Sequence, residues 1–137
     1  MSLESRKVSE VNVGDALPEL AIPLTTSLIV SGAIASRDFT PVHHDKAAAQ
    51  ASGVPDVFMN ILTTNGLVGR YVTDWAGPNA RIRNVQIKLG TPNTAGDTMT
   101  FNGSVTSKQD DEVTVELAGK NAWGDHVTAS VRVALPQ

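Results

Sequence analysis

The sequence predicts an α+β fold: helices first, then an antiparallel sheet wrapped on one long apolar helix. Two periodicities carry this prediction. Over residues 57–75 the apolar residues Phe58, Ile61, Leu62, Val68, Tyr71, Val72 and Trp75 recur three to four apart, the spacing of one helix face. Beyond Pro78 the period falls to two. Val85, Ile87 and Leu89 alternate with Gln86 and Lys88, and Met99, Phe101, Gly103 and Val105 alternate with Thr100, Asn102 and Ser104. Val113, Val115 and Leu117 follow, then Val127, Ala129, Val131, Val133 and Leu135, which makes four strands, each with one buried face. The links 92–97, 109–112 and 123–125 are short and rich in turn residues, so adjacent strands are expected to pair antiparallel.

The elements before the sheet can be taken in order. Residues 1–12 read as a polar, frayed lead-in, and Val13-Gly14-Asp15 as a turn. Residues 17–24 are apolar but carry Pro18 and Pro23, which suits an edge strand or extended arm and not a central strand. Residues 25–35 suit a short helix capped by Thr26 or Ser27. Asp45 stands at an N-cap position before Lys46-Ala47-Ala48-Ala49-Gln50-Ala51, a two-turn helix ending near Gly53. The long helix of residues 57–75 contains Gly66 and Gly69, each costing about 1 kcal/mol against alanine, which suggests close approach to a backbone or ligand. Ala76-Gly77-Pro78 ends it. No repeat or linker divides the chain, so 1–137 is expected to form a single domain around one core.

Composition narrows the function. The chain of 137 residues is 41% hydrophobic and 18% charged, with net charge −3 at pH 7 and 4% aromatics, which suits a globular protein and disfavours nucleic-acid binding. It has no cysteine, which excludes disulfides, thiolate metal sites and cysteine nucleophiles. No apolar run reaches membrane-spanning length, and the N-terminus lacks a basic-then-apolar leader, so a cytoplasmic location is expected without membrane association.

The chemistry is concentrated in Asp38-Phe39-Thr40-Pro41-Val42-His43. Pro41 fixes its own φ and pushes Thr40 away from helical geometry, so a stiff turn holds a carboxylate and an imidazole at a set separation. Alone, Asp38 would be a turn aspartate and His43 a hydrogen-bonded core or surface residue. Together they can serve proton transfer. His44 is expected to face solvent and His126 to lie on a strand surface beside a turn. The three histidines show no ligand spacing, so no metal is expected.

Asp38-Phe39-Thr40-Pro41-Val42-His43 resembles the signature of MaoC-like (R)-specific enoyl-CoA hydratases: Asp, two residues, Pro, an aliphatic residue and His. The likeness continues through the small helix, the long helix, Gly90-Thr91-Pro92 and Gly96-Asp97-Thr98-Met99-Thr100. It implies a hotdog fold, in which the sheet wraps the central helix. The segments Phe58-Met59-Asn60-Ile61-Leu62-Thr63, residues 69–78 and residues 124–129 are similar to one branch, the small MaoC-like subunit of the actinobacterial steroid side-chain enoyl-CoA hydratase. That likeness implies an acyl-CoA substrate, a steroid-CoA in that branch, and a larger MaoC-like subunit as partner in a heterodimer or heterotetramer. Where the family usually has Gly, Asn and His-Gly, this chain has Arg37, Thr40 and Met59-Asn60.

The resemblance makes Asp38 and His43 the catalytic pair for reversible hydration of a 2-enoyl-CoA, with the Asn60 backbone N–H as a thioester-carbonyl donor at the helix N-terminus. Which of the pair takes the water proton stays open, and no cofactor is expected beyond the coenzyme A of the substrate. Arg70, Arg81, Arg83 and Lys88 suit either coenzyme A phosphates or plain solvation. Tyr71 and Trp75 suit a sterol pocket or, more simply, the core or a subunit interface. Three further readings stand beside the first: a homodimeric hydratase for ordinary acyl-CoA, a non-catalytic hotdog partner, and a thioesterase. A sheet wrapped on one helix leaves an edge and part of the helix uncovered, so the chain is not expected to be a monomer.

Overall fold

The computed structural model describes residues 3–137. Strand β1 (Ala16–Pro23) is followed by helices α1 (Thr26–Ala35), α2 (Lys46–Ala51) and α3 (Ile61–Ala76), with a 3-10 turn at Pro41–His43 between α1 and α2. Strands β2 (Arg81–Leu89), β3 (Thr98–Gln109), β4 (Glu112–Asn121) and β5 (Gly124–Ala134) complete the chain. They form a five-stranded sheet in the order β1-β3-β4-β5-β2, antiparallel throughout. Helix α3 touches both edge strands, β1 and β2, as well as β5. The sheet therefore curls around it, which is the expected hotdog arrangement.

The core is the alternation read from the sequence. Val105 pairs with Val115, and Val115 with Val131, all fully buried. Phe101, Met99, Val113, Val127 and Val133 join them beneath Val68, Val72 and Ala76 of α3. Burial of each large apolar side chain contributes about 1.5–3 kcal/mol. Tyr71 stacks on Phe101, with ring centroids 5.0 Å apart, and Trp75 is also buried, so both belong to the core.

Several expectations are corrected. Residues 7–11 are not frayed: Val8 and Val11 are buried, and Val8 N–H donates to the Pro136 carbonyl at 2.9 Å. Helix α1 is capped by Thr25, whose hydroxyl accepts from Leu28 N–H, and not by Thr26 or Ser27. Helix α3 starts at Ile61, and residues 57–60 are extended. Strand β2 starts at Arg81, and Val85 and Ile87 are only half-buried because it is an edge. The link 92–97 does not close a hairpin, since β2 pairs with β5 while β3 lies between β1 and β4. Gly66 meets nothing within 4 Å and Gly69 only the Ile82 side chain at 3.8 Å. The close approach falls instead at Gly32, where a methyl group would overlap Thr63 of α3.

His126 is the other correction. It is buried, not on a strand surface. Its Nδ1–H donates to the Thr91 carbonyl at 2.7 Å, and the Thr64 hydroxyl of α3 donates to Nε2 at 2.8 Å. Burial lowers its pKa below the ordinary value of 6.5, and the Thr91 bond only partly opposes that. The unfolded chain therefore takes up the proton first, and stability falls as pH drops through about 6.5 until the folded state is protonated too. Urea midpoints at pH 7.5 and 5.5 should fall further for the wild type than for His126→Gln. Equal losses would show that this side chain does not couple folding to pH.

Candidate active site

The site is assembled from the ends of α1 and α3 and the turn between α1 and α2. Ser36 caps α1 and its hydroxyl donates back to the Gly32 carbonyl at 2.7 Å. Arg37 then takes a left-handed backbone, φ 56°, a conformation glycine adopts without cost. The chain reverses, Asp38 N–H donates to the Ala33 carbonyl at 2.9 Å, and Thr40 is extended before Pro41 as the proline demands. The 3-10 turn then delivers His43, and Asp45 caps α2 through bonds from Ala47 and Ala48 N–H.

Asp38 and His43 meet. His43 Nε2 lies 3.3 Å from Asp38 Oδ2, with the imidazole buried and the carboxylate one-quarter exposed. His43 Nδ1 lies 2.6 Å from the Phe58 carbonyl oxygen. A carbonyl only accepts, so Nδ1 carries the hydrogen and a neutral ring presents its lone pair at Nε2. The Phe58 ring packs edge-on against the imidazole, centroids 5.1 Å apart.

The carboxylate is surrounded by donors. Asp38 Oδ1 accepts from the Thr40 hydroxyl at 2.7 Å and Thr40 N–H at 3.3 Å, and Oδ2 accepts from Asn60 Nδ2–H at 3.1 Å. The Thr40 hydroxyl first, then the Asn60 amide, hold its pKa below the ordinary 3.8 against the opposing effect of burial. Asp38 is therefore held as an anion in direct contact with Nε2 of the ring, and the two atoms present a carboxylate oxygen and a ring nitrogen side by side.

Asn60 is the N-cap of α3, its Oδ1 accepting from Thr63 N–H at 3.1 Å and from the Thr63 hydroxyl at 2.5 Å. Among the described residues no acceptor pairs with the Asn60 N–H, whereas Met59 N–H is held by the Asn93 carbonyl. The N-terminus of α3 thus lies beside the pair, as expected, with Asn60 N–H open. Four residues around the pair escaped the sequence reading: Ser36, Phe58 through its carbonyl, Thr63, and Thr40 as a partner of Asp38. The usable signal was Asn60 itself, a favoured N-cap residue that would have set the helix start at 61.

Of the cations considered for coenzyme A, Arg81 and Arg83 line one surface hollow at the start of β2, Lys88 stands near the other end of that strand, and Arg70 pairs with Asp74 on α3. His44 is exposed, as expected. Among the described residues no three of His, Asp and Glu converge on a point where an ion could sit. Apolar side chains rim the site: Ile34, Phe39, Ile61 and Leu62 are each half exposed or more.

Comparison with known proteins identifies the family and the fold. The family model described as "MaoC like domain" matches residues 11–133. The chain is 52% identical, over 90% of its length and 95% of the relative's, to the 3-oxo-4,17-pregnadiene-20-carboxyl-CoA hydratase beta subunit of Mycobacterium tuberculosis. Among solved structures it is similar to a chain of the ChsH1-ChsH2 complex from the same organism, with TM-score 0.89 at 52% identity, covering 90% of this chain and 98% of that one. The unliganded R-hydratase PhaJ1 from Pseudomonas aeruginosa shares the fold, with TM-score 0.89 at 19% identity, over 97% of this chain and 87% of that one.

Replacing the Thr40 hydroxyl removes the largest influence on Asp38. In Thr40→Val the Asp38 carboxyl, followed by carbon NMR across pH, should titrate higher than in the wild type, toward the usual carboxylate range. An unmoved titration would contradict the geometry described for this carboxylate.

Proposed function

The chain belongs to the MaoC-like domain family, and we propose that it is the Asp/His-bearing small subunit of a two-chain enoyl-CoA hydratase acting on a steroid side-chain thioester. One observation carries this reading: the Asp38 carboxylate and the His43 imidazole, its Nδ1 on the Phe58 carbonyl, face one another at 3.3 Å beside the N-terminus of α3. The mycobacterial relative, a hydratase beta subunit, supports the substrate class and the second chain.

Water placed against Asp38 Oδ2 and His43 Nε2 donates one hydrogen to each and keeps a lone pair for the β-carbon of the enoyl thioester. His43 Nε2 takes one proton as the new C–O bond forms, and the π electrons move to the thioester oxygen. The Asn60 N–H and the dipole of α3 stabilise that oxygen's charge. The imidazolium then returns the proton to the α-carbon and the thioester carbonyl re-forms, so atoms and charges balance with no cofactor beyond the coenzyme A of the substrate. Asp38 orients the water and stabilises the imidazolium while it exists. The same steps reversed dehydrate a 3-hydroxyacyl-CoA.

A larger MaoC-like subunit completes the pocket. The apolar rim of Ile34, Phe39, Ile61 and Leu62 supports this, since such a surface is costly to leave in water. We place the protein in the cytoplasm, a reading supported by the coenzyme A substrate; no helix among the described residues is long and apolar enough to cross a membrane.

In the assembled enzyme, Asp38→Ala and His43→Ala should each lower hydration of a steroid enoyl-CoA by about 100- to 10,000-fold. Unchanged rates in both would sink the assignment, and release of free thiol would point to a thioesterase instead. Light scattering should show an assembly with the larger subunit, and the chain alone should be inactive on crotonyl-CoA. Full activity of the isolated chain there would favour a homodimeric hydratase.

A further inference from the structure

The Asn60 side chain is buried and uses every hydrogen-bonding position it has. Oδ1 accepts from Thr63 N–H and the Thr63 hydroxyl, while Nδ2 donates to Ser36 Oγ at 2.8 Å and to Asp38 Oδ2 at 3.1 Å. Its orientation is fixed. Thr63 N–H can only donate, an ionised Asp38 can only accept, and the Ser36 hydroxyl has already given its hydrogen to Gly32. One amide therefore joins three elements: the end of α1, the Asp38 turn and the first turn of α3.

We propose that Asn60 is the positioning residue of the Asp38 carboxylate, its amide setting where Oδ2 stands relative to His43 and the N-terminus of α3. The inference rests on the catalytic reading of Asp38 and His43 above. It assigns the side chain a task separate from that of the backbone N–H. The task needs a short group that accepts on one side and donates on the other. A carboxamide one methylene from the backbone does this. Aspartate has the same shape and caps a helix as well, but has no hydrogen for Asp38. Serine caps but does not reach Asp38.

These differences separate helix capping from carboxylate positioning. Among the described residues the titratable side chain facing Asp38 is His43; Ser36 from α1, Thr40 from the turn and Asn60 from α3 do not ionise. Asn60→Asp would place a second carboxylate against the first, and one of the two would hold its proton to higher pH.

The test measures kcat, KM, their pH dependence and Tm for Asn60→Asp and Asn60→Ser, each assembled with the larger subunit. It also follows the Asp38 carboxyl titration by carbon NMR. Both variants keep the cap but lose buried amide donors, so Tm should fall in both and further in Asn60→Asp; at a temperature where each is fully folded, kcat should be lowered about 10-fold or more with KM unchanged. Asn60→Asp should also move the acid limb of kcat and the Asp38 titration upward, while Asn60→Ser should leave the acid limb nearer its wild-type position. Wild-type kcat in both variants, or losses that simply follow Tm, would overturn the proposal. If Asn60→Asp fails to assemble, lowered kcat in fully folded Asn60→Ser supports the proposal, and wild-type kcat overturns it. If the wild-type assembly hydrates no enoyl-CoA, the functional reading has failed, and the NMR titration decides the role of Asn60 by itself: a carboxyl unmoved in Asn60→Asp overturns it.

Discussion

The Phe58 carbonyl decides which way the chemistry of this site faces. It accepts from His43 Nδ1 and so leaves Nε2 as the free nitrogen. Its own direction comes from a short extended pairing. Ala95 N–H donates to the Val57 carbonyl and Met59 N–H to the Asn93 carbonyl, with Phe58 opposite Thr94. In an extended chain successive residues turn their polar groups to opposite sides. Residues 57 and 59 face the 93–95 segment, so Phe58 turns its N–H and carbonyl the other way, to Val42 and His43. The segment crossing from β2 to β3 thus sets the tautomer of an imidazole it does not touch.

The two members of the pair meet different surroundings. Asp38 is surrounded by donors and stays ionised near the surface. His43 is buried with a carbonyl on one nitrogen and the carboxylate near the other. The difference between the two is made by their surroundings, since neither side chain is unusual in itself. His126 meets the same kind of carbonyl at Nδ1, but a hydroxyl satisfies its Nε2, and it braces α3 against β5.

The parts legible in the sequence were those where one residue type dictates the backbone. Pro41 forced Thr40 to be extended and so delivered the Asp38/His43 turn, and Pro18 and Pro23 marked β1 as an edge. Periodicity marked the last four strands and the buried face of α3, but not its start. Phe58 lies three and four residues before Ile61 and Leu62 and imitates a further helical turn, although its contacts are to an imidazole and a bridge partner. Link length did not reveal the crossing from β2 to β3, because eight residues suffice for a loop or a passage past the foot of a helix. The Asn60 network was invisible for a simpler reason: Ser36, Asp38 and Thr63 are brought together only when α1 packs on α3.

That packing depends on a residue with no side chain. Gly32 lies where α1 meets Thr63, with no room for a methyl group. The Gly32 carbonyl also receives the Ser36 hydroxyl, which in turn receives the Asn60 amide that holds Asp38. The bare α-carbon works as a spacer gauge, setting the gap between two helices that the amide must span. The Asp38 carboxylate is thereby sensitive to a position that contributes no functional group. A map of this site drawn from its polar atoms alone would omit the dimension that sets its scale.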